Sequence, residues 1–408
     1  MSGYASRDRP AEGKRTELWS KATVVEAADG KKGVILSLDI VGLGRDVADR
    51  ICRGISARLG IEREAVVINT SHTHTGPVVG ANLQTMYFLD DEEESKVARY
   101  TDFMVERAIE TTMEAAQTLR PAEIGYAIGR ATFGVNRRNN PEMMVPKMRF
   151  EGRLNGPVDY TVPVLRIADT SGRLVGVVFG YACHATTLSD YQWSGDYPGY
   201  AQAFLEARHP GIVAQFVAGC GADINPLPRR KPELAIGYGA KLADAVDLVL
   251  DGVFESVSPE LRVAYSETEL AFDTLPTREE LAEQEKSDNR YIAARARKWL
   301  AVLDAGGNLP ISYSYPVSWW RLGKTLDFIA LGGEVVVDYS LKLKERYGSR
   351  LWVAGYSHDV MAYIPSRRVW TEGGYEGATS MIYYGLPNRW SSSVEEDVMR
   401  AIAELRAE

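Results

Sequence analysis

Histidine and cysteine are scarce in this chain, at five and three among 408 residues. Three thiols, Cys52, Cys183 and Cys220, give no disulfide framework, and a reducing, cytoplasmic setting is expected. No apolar run approaches the ~18 residues that span a bilayer, so no integral membrane segment is expected. The opening stretch MSGYASRDRPAEGKRTELW lacks the apolar core of a signal peptide. Basic residues are outnumbered, with 47 Lys+Arg against 55 Asp+Glu and a formal charge of −8, which argues against nucleic acid as a partner. Internal repeats and Pro/Gly/Ser-rich linkers are absent as well. A single domain over 1–408 is therefore expected, although the length would admit two or three.

The residues that are present describe a globular chain with material for a large core. It is 45% hydrophobic and 25% charged, which excludes disorder and fibrous repeats. Apolar, β-rich runs at 33–40, 65–68, 175–181, 212–217, 326–331, 334–337 and 351–354 alternate with helical patterns at 46–59, 95–119, 199–207 and 234–250. In the first helix Val47, Ile51, Ile55 and Leu59 recur every four residues and share one face. The alternation predicts the α/β class, with mixed α+β layers in which mixed β-sheets are flanked by helices. The 278–304 segment is charged, acidic first and basic last, in the order a helix macrodipole favours. It is expected as a solvated helical insertion, either a hairpin or one long helix. The aromatic stretch 311–323, ISYSYPVSWWRLG, either lines a pocket or alternates as a core strand.

The few histidines fall at telling places. His72 and His74 lie in INTSHTHTGP, directly after the strand AVVIN. In extended backbone, residues i and i+2 face one side, so both imidazoles are expected to point the same way at a strand end. Metal or acid–base chemistry competes there with two hydrogen-bonded structural histidines. His184 follows the strand VVFGYAC in the same manner, and its neighbour Cys183 is expected to be a small buried residue facing away. His209, before a Pro-Gly turn, reads as a helix C-terminal histidine, and His358 is ambiguous. Glu334 stands between a Gly-Gly pair and three valines, which is poor company for a solvated carboxylate. A buried one needs a cation or a hydrogen-bond partner. Two histidines and a glutamate are a common catalytic zinc set.

Five motifs, in one order across 72–379, resemble the neutral (non-lysosomal) ceramidase family of zinc amidases: HTHTGP, GVNRRNNP, YACHATT, GGE and MAYIPSRRVWTEGGYEGATS. The resemblance implies the family's fold and a Zn²⁺ site whose ligands fall on His72, His184, Glu334 and Tyr363. It also implies a catalytic histidine at His74, an active-site arginine at Arg137 and a second tyrosine at Tyr375. Arg137 and Tyr375 would donate to the oxyanion of a tetrahedral intermediate, and His74 would carry the proton to the leaving amine.

Three departures accompany the resemblance. Where the family carries a serine, GCGADINPLPRR places Asn225, so Asn225 and Asp223 are expected to contact substrate differently or to form an Asx turn. The family's additional C-terminal β-domain and export signal are not expected in 408 residues, and the GYA-type segment of the family begins here at Gly3. The expected activity is zinc-dependent hydrolysis of an amide in a small-molecule substrate. The alternatives are a metal-dependent hydrolase of an ester, lactone or glycoside of a small polar or sugar-derived compound, and a non-catalytic binding protein. A homo-oligomer is compatible with all of them.

Overall fold

The computed structural model describes residues 1–407. Three main sheets form its centre. One has five strands in the order Val213–Ala218, Leu174–Tyr181, Thr161–Asp169, Ala122–Arg130 and Glu255–Ser256. The second runs Leu261–Ala271, Ser312–Leu322, Leu326–Leu331 and Trp352–Ala354. The third runs Ser20–Glu26, Lys32–Leu38 and Val66–Thr70. Parallel and antiparallel pairs occur in all three, so the sheets are mixed, as the alternating pattern predicts.

The period-two alternation of these strands decides the layering. Val178, Val217, Trp320, Phe328, Trp352, Ile35 and Val67, drawn from all three sheets, meet in one buried cluster. Their neighbours Val177, Phe179 and Phe216 face the other way, onto helices Asp196–Arg208 and Pro232–Leu250 through Ala201, Leu205, Leu242 and Val246. In the third sheet Leu36 and Ile68 turn outward to the anticipated face of helix Arg45–Leu59 and to helix Asp91–Gln117. The result is sheet against sheet inside and helices outside.

One expected strand is corrected, and two pairs of alternatives are decided. The run at 334–337 is a strand only at Glu334–Val335, because Val337 opens a helix, Val337–Tyr347. The aromatic stretch is the strand Ser312–Leu322, with Trp319 and Trp320 on opposite faces of its sheet, and it lines no part of the cavity described below. The 278–304 segment is a pair of helices, Arg278–Gln284 and Arg290–Asp304, each started by its own cap: a capping box at Thr277 and the side chain of Asn289. The break removes the single macrodipole, and the second helix has no acidic residue in its first turn and no basic one in its last. Nor is the pair wholly solvated. It buries Leu281, Ala296 and Trp299 together, and Lys298 Nζ donates to the Gly385 carbonyl at 2.9 Å.

Candidate metal centre and cavity

The strand ends that carry the histidines are held by Asn69. Its amide donates to the Gly355 carbonyl at 2.7 Å, and its oxygen accepts the Ala218 N–H at 2.8 Å. It thereby fastens strand 66–70 to the ends of two others. Beyond it the chain does not stay extended. His72 has a left-handed φ of 57°, and Thr73 and Thr75 both donate to the Ser194 carbonyl. The imidazoles of His72 and His74 still converge, with Nε2 atoms 3.0 Å apart, but by a turn rather than by strand geometry. His184 is brought alongside by two backbone bonds, from its own N–H to Ile224 and from the His74 N–H to Ala185.

Glu334 and Tyr363 come from a separate two-stranded parallel pair, Glu334–Val335 with Tyr363–Ile364, in which they are register partners and project side by side. The preceding Gly333 has φ 73°, and a Cβ there would meet the Ala362 carbonyl at 2.7 Å, so the glycine is required to bring Glu334 in. Arg137 follows the strand Gly134–Asn136, which is antiparallel to Ile224–Pro226. That pairing sets its guanidinium beside Asn225, with Nη1 3.3 Å from Oδ1.

These elements assemble one nest. Glu334 Oε2 lies 3.1 Å from His72 Nε2 and 3.0 Å from His184 Nε2, while the Tyr384 hydroxyl donates to Oε1. Tyr363 Oη is 3.4 Å from His184 Nε2 and accepts from Arg137 Nη2 at 3.1 Å. All three carboxylate and imidazole groups are buried. The Nδ1 atoms of His72 and His184 face the carbonyls of Val41 and Gly221, which accept only, so both Nδ1 atoms carry the proton. Each Nε2 therefore presents a bare lone pair to a carboxylate oxygen. Burial pushes His184 down to about 4, with the charge of Arg137 adding to it, and keeps it neutral. Burial pushes the Glu334 carboxyl up, whereas positive charge on the side of His72 and His184 pulls it well below the usual carboxylate range, so the carboxylate calls for a cation beside it. Lone pairs converging in a dry pocket repel one another unless a cation lies among them, and the donor set of imidazole, carboxylate and phenol suits a divalent ion. Backbone carbonyls orient the two rings, as they do for metal-bound histidines generally.

His74 belongs to the same cluster. One ligating atom each from His72, His74 and His184 lies within 4.8 Å of the others. Burial, then the two neighbouring imidazoles, hold His74 well below ordinary basicity, and its buried Nδ1 has no hydrogen-bond partner.

A cavity of about 610 Å³ lies beside the nest and is lined by His74, Arg137, Asn225, Tyr363 and Tyr375, with His72, His184 and Glu334 behind that lining. Tyr375 is 40% exposed and stands edge-on to Tyr363, with centroids 5.3 Å apart. Asp223 is not on the wall. It is fully buried behind it, accepting from Asn136 Nδ2 and from the Val337 N–H, and its own carbonyl accepts the Arg137 N–H at 2.9 Å. It supports Arg137 rather than facing a ligand. Cys183 is a buried free thiol, and its burial is as expected. His209 caps its helix and pairs with Asp247, and His358 is a buried bridge between Arg63 and Ser318.

Three participants escaped the sequence reading. Glu376 accepts from Arg137 Nε at 2.7 Å and from Arg138 Nη1, fixing the Arg137 guanidinium at the cavity wall. It sits with Tyr375 in a single π-helical turn, Tyr375–Thr379, a device common at functional sites, and the YEGAT stretch was the available signal. Tyr384 was unmarked. Tyr4 lies over His74 with centroids 4.9 Å apart and is held by the Leu188 carbonyl.

Fold and nest together define a layered α/β protein with a preformed histidine cluster compatible with a metal ion beside an open cavity. The family described as "Neutral/alkaline non-lysosomal ceramidase, N-terminal" matches residues 1–224, and the chain belongs to this family. It is 28% identical over 239 residues to a neutral ceramidase of Oryza sativa subsp. japonica, covering 56% of this chain and 29% of the relative. It is 27% identical over 242 residues to the neutral ceramidase of Pseudomonas aeruginosa, covering 57% and 35%. The match thus spans about a third of the length of these curated relatives. A solved ceramidase complexed with C2 superposes with a TM-score of 0.76 at 18% identity, covering 99% of this chain and 72% of that one. The crystal structure of the Pseudomonas aeruginosa enzyme gives 0.75 at 20% identity, covering 99% and 71%. The fold likeness therefore runs the whole chain, through the half that holds Glu334 and Tyr363.

Proposed function

We propose that the protein is a zinc-dependent hydrolase that cleaves the amide bond of a small polar N-acyl compound. The observation that carries this reading is the convergence of two imidazole nitrogens on the buried Glu334 carboxylate, next to a cavity lined by His74, Arg137, Tyr363 and Tyr375. His72, His184, Glu334 and Tyr363 would hold the ion. Zinc in such a set supplies Lewis acidity and a water activated at neutral pH.

The protein's own groups supply the rest. His74, neutral and partly buried at the cavity floor, accepts a proton from the attacking water and returns it to the leaving amine. The Arg137 guanidinium, clamped by Glu376, and the Tyr375 hydroxyl stand where an oxyanion develops. Asn225 gives its oxygen to Arg137 and keeps its amide N–H groups for the cavity, where the family serine would offer a hydroxyl.

The polarity of the cavity favours a second reading that keeps the metal and changes the bond, to an ester, lactone or glycoside. Metal analysis of protein purified without chelator, followed by a screen across amides, esters and glycosides with and without chelator, separates the readings. Full amide hydrolysis by metal-free protein would sink the first.

A further inference from the structure

The cavity wall carries information about what binds above the nest. Three guanidinium groups, Arg137, Arg138 and Arg229, line it against three carboxylates, Glu142, Glu372 and Glu376. Each carboxylate is shared between two arginines. Glu372 accepts from Arg138 at 2.9 Å and from Arg368 at 3.1 Å, and Glu142 accepts from Arg229 at 3.0 Å and from Arg230 at 3.4 Å. Glu376 accepts from Arg137 and Arg138. The wall is dense in hydrogen-bonding groups, and the charged side chains that line it are three arginines and three glutamates already paired with one another or with Arg230 and Arg368. A carboxylate, phosphate or ammonium on the ligand would have to break one of these pairs. A hydroxyl, which donates and accepts at once, can add to them without doing so.

Apolar surface is confined to two kinds. Met86 and Leu227 are the cavity's only aliphatic side chains larger than alanine among the described residues, which is room for a short acyl group and not for a long chain. The other kind is aromatic. Tyr375 and Tyr383 stand 6.2 Å apart, and Tyr291 of the helix pair backs Tyr383 at 5.1 Å. Such rings offer an apolar face with a polar edge, which suits the C–H face of a pyranose ring.

Resting on the amide-hydrolase reading above, we infer that the site takes a neutral N-acylated amino sugar, with its short acyl group toward the nest and its hydroxyls on the Arg–Glu wall. Water would add its oxygen to the acyl carbon as the C–N bond breaks, and the amine would leave with the remaining proton. The reaction needs no other reactant.

The test uses the full chain loaded with zinc. Ligand-observed NMR measures binding of N-acetylglucosamine, N-acetylglycine and a short-chain ceramide, and amine release is followed for each. The inference expects binding of the sugar amide, with Kd raised by about fivefold or more in Glu372→Gln, the loss of roughly one hydrogen bond. Binding or cleavage of N-acetylglycine or the ceramide without binding of the sugar overturns the inference and leaves the amidase reading standing. Sugar binding with no amine released from any amide overturns the amidase reading and upholds the recognition. A Glu372→Gln protein that folds, by its thermal midpoint, and binds the sugar unchanged removes the wall from recognition and overturns the inference.

Discussion

The stretch that ends at residue 224 brings nitrogen to the site, and the stretch that follows brings oxygen. His72, His74 and His184 lie inside the part matched by the family, with Arg137 beside them. Glu334, Tyr363, Tyr375 and Glu376 lie outside it, in a half related to solved ceramidases by fold at 18–20% identity. The imidazoles are placed by turns just past the ends of the buried strands Val66–Thr70 and Leu174–Tyr181, where a displaced side chain would disturb the core. Glu334 and Tyr363 hang on a two-residue strand pair whose other members, Val335 and Ile364, are buried in the core, and part of the cavity wall hangs on a π-turn. The proposed ion would thus be held jointly, by imidazoles from the first stretch and by a carboxylate and a phenol from the second, and both stretches contribute to the cavity wall.

The largest effect expected from breaking this division is at its joint. Glu334→Ala leaves two neutral imidazoles with no anionic partner, and metal and activity should fall to background together. His72→Ala should do the same from the nitrogen side. Elemental analysis of either variant decides it, and near-stoichiometric zinc in both would remove them from the ligand set.

His74→Ala sharpens the nitrogen side. As a proton carrier, His74 should take roughly 10²–10⁴ of the rate with it while metal stays bound. Metal loss in this variant would make the three-histidine cluster itself the binding site. Arg137→Met comes next, with a fall of about 10²–10³ in kcat and unchanged zinc, the usual size for an oxyanion donor. Tyr375→Phe should cost less, since its hydroxyl stands at the open edge of the cavity.

A pH effect follows from burial of the nitrogen ligands. His184 titrates near 4 in the fold against an ordinary value of about 6.5, so the unfolded chain takes up its proton first. Stability from this group is complete above about 6.5 and is lost as pH falls from there to 4. In chelator-treated protein the thermal midpoint should drop across that window, and His184→Ala should flatten the drop. An identical profile in the variant would mean the ring is not buried as neutral imidazole.

How much of this was legible follows the same division. Helix Arg45–Leu59 and the main buried strands announced themselves by periodicity, and scarce histidines at strand ends marked the nest. Glu334 was visible because its neighbours are wrong for a solvated carboxylate. Glu376 was not, because a carboxylate among glycines and tyrosines looks solvated until the fold brings Arg137 and Arg138 to it from 238 positions away. Tyr384 and Tyr4 are tyrosines among 21, and only tertiary contact distinguishes them. Asp223 failed in the other direction. Its Gly-rich setting suggested substrate contact or an Asx turn, but the segment folds inward, and burial raises its carboxyl to about 6.

The smallest expected effect falls at the seam itself, one residue past the family match. Asn225→Ser removes an amide that accepts from Arg137 at 3.3 Å, a long bond worth little, and supplies the hydroxyl the family carries there. Glu376 and Tyr363 continue to hold the guanidinium, so kcat/KM for a given amide should move by less than about tenfold, within the net worth of one hydrogen bond. What should move is the ratio between amides, because the group facing the cavity changes from a donor-rich amide to a single hydroxyl. A ratio between N-acetylglucosamine and a short-chain ceramide that stays fixed in Asn225→Ser would show that the wall further out, and not this position, separates the chain from its lipid-hydrolysing relatives.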